Sequence, residues 1–322
     1  MEAVIARHKK KKRIDWGRIL FFTALVIWPI VQFCIFYIGV NGKSIIMAFQ
    51  SYDEAGHMHW GFANFRTILS NRSESPNLHD VRRGGLMSVL SYVLSVCITI
   101  PLGLFSAYYI GKKMPGSGFF RAVLFLPSII PEIVLVVIYK FFVIDALPTY
   151  MGALGWKNFG DWLSPANGAT WQQQYFMVMF FTLILLGFGT SVLMYSNAMS
   201  KVNVEVLDAA RLDGARGWSE FWHIILPAVW PTVMVFLVTG VCGIFVNQIH
   251  LWSFYDFNAP PEIQTYGYIL YHKSTEIINT STGADNAKAN ILAAFGLLMT
   301  AVAIPLTFFV RWLLKKVGPS ED

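Results

Sequence analysis

Apolar residues in this chain fall in long, nearly unbroken runs separated by short polar stretches. A bilayer core about 30 Å thick takes about 20 helical residues at ~1.5 Å each. Six runs qualify, over residues 19–40, 85–110, 121–143, 175–195, 228–251 and 290–310. The pattern predicts an all-α, polytopic membrane protein with six transmembrane helices across 19–310, a basic segment before them (1–18) and a tail after them (311–322). The second run carries Ser88, Ser91, Tyr92, Ser95 and Thr99, as befits a helix packed among others. No period of about 20–50 residues recurs, which argues against a repeat array.

Composition agrees: 55% of the 322 residues are hydrophobic and only 14% charged, against about 25% charged in soluble domains. The net charge of +6 would suit nucleic acid, but its placement points to a membrane instead. With the N-terminus inside, segments 1–18, 111–121, 198–227 and 311–322 hold sixteen Lys and Arg in 71 positions. The opposite segments, 41–84, 144–174 and 252–289, hold eight in longer loops. Basic loops mark the cytoplasmic side, so both termini and residues 198–227 are expected there. The opening "ARHKKKKRIDWGR" leads into a run too long for a cleaved signal, with no small-residue exit. It is expected to be an uncleaved first helix whose lysines meet anionic lipid headgroups, each charge contributing about 1 kcal/mol. The outer loops are aromatic, as in 52–65 and 155–174, and Trp and Tyr favour the membrane interface.

Candidate catalytic chemistry is sparse. Cys34, Cys97 and Cys242 lie inside apolar runs without disulfide or metal-ligand spacing. "GVNGKS" (39–44) imitates a phosphate loop, but the required earlier glycine is Tyr37. His57 and His59 flank Met58 and offer a metal pair, or simply a solvated loop. The triplet Asn279-Thr280-Ser281 reads as a chance glycosylation pattern, and no nucleophile–base–acid set emerges.

One polar stretch stands out, "DAARLDGARGWSEFWHIILP" at 208–227. Asn203 suits an N-cap and Glu205 complements the dipole of a short helix over 204–213. Val206, Ala209, Ala210 and Leu212 are expected on its buried side. Gly214 suits the left-handed residue that ends a helix. A second arm is expected from Trp218 or Ser219, with Phe221, Ile224 and Ile225 at helical spacing, broken by Pro227 before the fifth span. The product is a helix–turn–helix elbow faced with Ala and Gly, suited to docking in another protein's cleft or to resting on headgroups.

This stretch resembles the cytoplasmic signature of permease subunits of binding-protein-dependent ABC importers. That signature reads E-A-A, D-G-A three residues on, a spaced Phe, then I-x-L-P. Here stand Asp208-Ala209-Ala210, Asp213-Gly214-Ala215, Phe221 and Ile224-Ile225-Leu226-Pro227, between the fourth and fifth of six spans. Asp208 replaces the usual glutamate, keeping the charge and shortening its reach. "FFRAVLFLPSIIP" (119–131) and "WGFANF" (60–65) are similar to segments of the carbohydrate branch. "FVNQIHLWSFYDFNAPPEIQTYGYILY" (245–271) is most similar to oligosaccharide and polyuronate permeases, alginate among them.

The resemblance implies a type I importer permease fold in a bacterial cytoplasmic membrane. It implies a sister permease, two ATPase subunits and an extracytoplasmic solute-binding protein as partners. ATP and Mg would be used by the ATPases, so this chain needs no cofactor and is not an enzyme. Asp208, Ala209, Ala210, Asp213, Gly214 and Ala215 become the ATPase-coupling set. Leu183, Gly187 and Thr190 match the region lining the sugar pathway in related permeases. On the fifth run, Thr239, Gly243 and Asn247 are expected to share one face, with Gln248 and His250 extending it outward. Trp252 and Tyr255 are expected to stack sugar rings at the outer mouth.

Glu132 is the odd charge, ~16 Å into the third run counted from Arg121. A carboxylate there costs about 2.5–3.5 kcal/mol unless paired, which suggests a latch to the sister permease or to backbone freed by Pro131. Lys140, two turns on, would welcome an anionic sugar or snorkel to the interface. The leading expectation is therefore a sugar or oligosaccharide importer permease, an acidic cargo such as alginate included. Glycerol phosphate derivatives and peptides are alternative cargoes. A proton-coupled secondary transporter using Glu132 fits poorly, since such folds commonly show internal repeats, and a membrane enzyme lacks clustered catalytic groups.

Overall fold

The computed structural model describes residues 16–53, 56–70, 78–155, 162–164, 168–187, 189–215, 217–280 and 285–319. Five helices are long and apolar enough to cross a bilayer: Leu20–Ala48, Leu78–Gly111, Glu132–Ala153, Trp218–Val246 and Asn286–Val317. They are the first, second, third, fifth and sixth spans. The fourth is a pair, Trp171–Leu186 and Gly189–Met199, bent by 40°. A capping box starts it: Gln173 N–H donates to Thr170 Oγ1 (3.4 Å) while Thr170 N–H donates to Gln173 Oε1 (2.9 Å).

Prolines explain most departures from the sequence pattern. The expected third span, 121–143, is two helices, Ser117–Ile129 and Glu132–Ala153. Ile130 precedes Pro131 and is extended (ψ 137°), because proline disfavours the helical region for its predecessor. Elsewhere proline is absorbed. The π-helical turns Ser95–Thr99, Phe142–Ala146 and Phe221–Ile225 each lie two residues ahead of a proline, Pro101, Pro148 and Pro227. Proline donates no N–H and crowds the carbonyl four residues back; in each case that carbonyl lies in the widened turn, where the ladder is already re-registered. Pro227 therefore does not break the second arm, which runs on into the fifth span. That span stops at Val246 instead of 251, with Asn247 extended (ψ 127°).

Three buried clusters hold the bundle. One joins the second, third and fourth spans to a folded-back segment with a short helix, Leu251–Tyr255. A second joins the second, fourth and fifth spans. The third joins the fifth and sixth spans to the outer helix Tyr266–Thr280. Close approach is built in at Gly240, where a Cβ would strike the ring of Tyr92; the Tyr92 hydroxyl donates to Leu237 O (3.0 Å). The first span is open over most of its length, with none of its most apolar 18-residue window buried; only its last turns pack on the sixth span, where Ala48 is fully buried beside Ala294 and Phe295. Exposed Phe, Leu and Ile of this density would be untenable in water.

Beyond the first span lies a small antiparallel hairpin, Gln50–Tyr52 with Met58–Trp60, an addition to the all-α expectation. Asn64 of "WGFANF" explains its placement: its buried amide donates to Ala48 O (3.0 Å) and Gln50 O (2.7 Å). His57 and His59 both face Asp53, at 3.4 and 3.2 Å. The His57 backbone N–H and then the His59 ring hold the Asp53 carboxyl below its ordinary range. No group of three metal-ligating side chains forms among the described residues.

Candidate functional site

The stretch 203–227 folds into an elbow at the end of the bundle where the second span finishes. The Asn203 side chain accepts from Glu205 N–H (3.0 Å) and starts the helix Val204–Leu212. Gly214 ends it with φ +88°. Gly214 N–H donates to Arg211 O (3.1 Å) and Ala215 N–H to Ala210 O (2.9 Å), the pair of bonds that closes a Schellman turn. A Cβ at Gly214 would meet nothing within 4 Å, so only the backbone angle demands glycine.

The face expected to be buried is open. No residue of this helix is fully buried; Leu212 is 91% exposed and Val206 49%. Asp208, Ala209, Asp213 and Gly214 are exposed, while Ala210 and Ala215 are half-buried. The second arm supplies the anchor. Phe221 is buried against Phe105 and Tyr108, with ring centroids 5.1 and 5.3 Å away, and Trp218 stacks on Phe105 at 5.3 Å. The Tyr108 hydroxyl donates to Gly217 O (3.1 Å). A short apolar helix left uncovered by its own chain is marginal alone and is a ready docking face.

Midway along the bundle, a cavity of about 100 Å³ lies among the second, fourth and fifth spans. Ser88, Ser91, Tyr92, Thr182, Asn247 and Thr265 give it a polar lining. Binding pockets start at about 300 Å³, so this chain alone presents only a small vestibule. Leu183 and Gly243 line it as well, so that with Asn247 three of the expected pathway residues meet here. The other expected pathway residues part company. On the fourth span, whose π turn Phe181–Leu186 precedes its bend, Leu183 is buried, Gly187 half-buried and Thr190 exposed. Thr239 is exposed and bonds back to Val235 O (2.7 Å). Asn247 lies past the helix end, where its Oδ1 accepts from Ile249 N–H (2.7 Å) and its carbonyl from Thr265 (2.9 Å). Gln248 is half-buried, with its Oε1 unpartnered among the described residues.

The third span grips the folded-back segment at both ends. Glu132 Oε1 meets His250 Nδ1 at 2.6 Å and accepts from Ser253 Oγ at 2.9 Å. Two turns on, Lys140 Nζ donates to Phe254 O (2.9 Å). Acid thus sits at the N-terminus of Leu251–Tyr255 and base at its C-terminus, matching its dipole. The Glu132 latch is internal to this chain. Ile249 and His250 have φ of +46° and +61°, a conformation that costs a β-branched residue about 1–2 kcal/mol and that the clasp helps to hold. Trp252 packs edge-on to Tyr271 and Phe257 (4.7 and 4.8 Å), and the Tyr255 hydroxyl donates to Leu163 O (3.1 Å). Both aromatics are half-buried in this packing.

Sequence reasoning missed Glu220. It is 1% exposed, with Oε2 3.1 Å from Lys112 Nζ and 3.7 Å from Arg211 Nε. Arg211 Nη1 also donates to Asp208 Oδ1 (2.8 Å). Burial works to lower the Lys112 ammonium, but its contacts with Tyr108 and Glu220 outweigh that and hold it above the ordinary lysine range.

Residues 99–320 match the family described as binding-protein-dependent transport system inner membrane components. The chain belongs to that family. It is 27% identical over 231 residues to the multiple sugar-binding transport system permease protein MsmF of Streptococcus mutans, covering 71% of this chain and 74% of that protein. It is 24% identical over 267 residues to the sn-glycerol-3-phosphate transport system permease protein UgpA of Agrobacterium fabrum, covering 80% and 81%. The fold is shared with a chain of a bacterial ABC transporter involved in import of the acidic polysaccharide alginate: TM-score 0.71, 18% identity, 95% of this chain and 98% of that one. A second structure of a bacterial alginate ABC transporter, in complex with an alginate pentasaccharide-bound periplasmic protein, gives 0.69 at 20% identity over the same shares. The all-α, six-span permease fold follows from these matches and the helices themselves.

Proposed function

We propose that this chain forms, with a sister permease, the translocation pathway of an ATP-driven importer for a sugar or oligosaccharide delivered by an extracytoplasmic binding protein. The observation that carries the reading is the elbow: Asp208-Ala209-Ala210 stand on a largely uncovered helix and Asp213-Gly214-Ala215 in the turn that ends it, ahead of the fifth span. Partner ATPases seat that helix, and their closure rotates the spans as connected bodies around the vestibule. Hydrolysis belongs to the ATPases, with no cofactor held here. The loop charge bias supports cytoplasmic termini and a cytoplasmic elbow in a bacterial inner membrane. A pathway completed by two permeases accounts for the small vestibule in one. The sugar permease relative and the alginate transporter folds support a saccharide cargo, an acidic one included. The relative for sn-glycerol-3-phosphate supports phosphorylated glycerol as the second reading.

The test is uptake by the full complex in proteoliposomes, with its binding protein, across acidic oligosaccharides, neutral oligosaccharides and sn-glycerol-3-phosphate. ATP-dependent uptake of a saccharide is expected; uptake of glycerol phosphate alone would select the second reading. Gly214→Trp is expected to abolish uptake while the chain still inserts. Gly214→Ala shares the backbone strain, about 1–2 kcal/mol, without the bulk, and is expected to retain most uptake. Full transport and stimulated ATP hydrolysis by the Trp variant would contradict the docking role.

A further inference from the structure

Glu220 is a charge buried where an apolar residue would pack. Replacing buried ion pairs by apolar residues of similar volume is often neutral or stabilising, so net stability is a poor account of its presence. What such a pair fixes is geometry. Its contacts are ordered in space: Lys112 follows the end of the second span, Glu220 heads the fifth, Arg211 lies in the last turn of the elbow helix, and Asp208 is the exposed acid of its signature. The contacts run 3.1, 3.7 and 2.8 Å in that order. The elbow helix buries no side chain fully, so this chain of charges is a main tie between it and the bundle. At 3.7 Å, Arg211 stands beyond hydrogen-bond range of Glu220, and Glu220 Oε1 is unpartnered among the described residues. The joint therefore has a tighter setting available.

We propose that Lys112, Glu220, Arg211 and Asp208 form a positioning joint that makes the elbow move as one body with the second span as well as the fifth, and so sets how tightly ATP hydrolysis is coupled to transport. The inference rests on the proposed coupling role of the elbow. The second arm already meets the second span through Trp218, Phe221 and Gly217 against Phe105 and Tyr108; the joint adds a charged tie from the elbow helix itself to both the fifth and the second span, and both spans line the vestibule. Glu220 acts through its neighbours and touches no cargo.

The experiment uses the complete importer with its binding protein in proteoliposomes and measures cargo imported per ATP hydrolysed. Glu220→Gln keeps the shape and removes the charge; it is expected to assemble and to lower that ratio about tenfold, a coupling change of ordinary size. Lys112→Arg keeps the cation and is expected to retain the wild-type ratio. The double variant Lys112→Met with Glu220→Leu removes the pair without stranding a charge. It is expected to assemble at wild-type yield and still to import poorly per ATP, which a merely structural role would not produce. A wild-type ratio in Glu220→Gln or in the double variant would overturn the joint. Failure of the wild-type chain itself to associate with an ATPase would instead overturn the coupling role beneath it.

Discussion

Gly214 and Asn203 bound the elbow helix by opposite means, one by backbone angle and one by a side-chain hydrogen bond. The helix buries no side chain fully, so its caps matter more than they would in a core. Asn203→Ala is expected to cost the helix about 1 kcal/mol, read as faster amide exchange over 204–212 with exchange in the fifth span unchanged. Equal exchange would mean the helix is held from elsewhere. Both caps were legible from the sequence, because each is a local rule applied to a local pattern. Glu220 was not: in a polar loop it reads as a solvated acid, and its partner Lys112 lies 108 positions away. The expected buried side of the elbow helix failed for a related reason. Amphipathic spacing says which residues share a face but not whether this chain covers it.

Six apolar runs became six spans, and the errors in their extents fall mainly at prolines. Pro131 breaks a run that hydrophobicity alone would carry through, while Pro101, Pro148 and Pro227 pass inside helices because a π turn precedes each. Nothing in composition marks a π turn, so Pro227 read as a stop. The end of the fifth span was misread because Asn247, Gln248 and His250 look like a polar stripe on a continuing helix; they form a strained turn instead. Glu132 and Lys140, eight apart on the third span, hold that turn from both ends. Lys140→Met removes the donor to Phe254 O, and Glu132→Ala strands His250 and Ser253. Each is expected to speed amide exchange in 247–258 about tenfold, the effect of losing roughly one net hydrogen bond to a charged group. Unchanged exchange in both variants would show that aromatic packing around Phe254 suffices.

The whole chain is a bundle whose polar interior is small and whose apolar exterior is large. Most of its first span and the elbow helix are left open by the chain itself, which suits a subunit that meets lipid on one side and partner chains on others. Membership of the transport family follows from the match over 99–320, and the distribution of Lys and Arg is the ground on which the elbow is proposed to face the cytoplasm. Cargo was the least legible property at every scale: the vestibule in one chain is too small to state what passes through it, and the outer aromatics are engaged with one another. The central claim is that the elbow hands a neighbour's nucleotide cycle to the spans. It is tested most directly by the substitution Ala209→Cys at this exposed position, crosslinking the assembled importer with and without ATP. The account predicts a crosslink to an ATPase subunit whose yield changes between the two states. No crosslink in either state, with the introduced thiol labelled by a membrane-impermeant reagent from the periplasmic side, would contradict it.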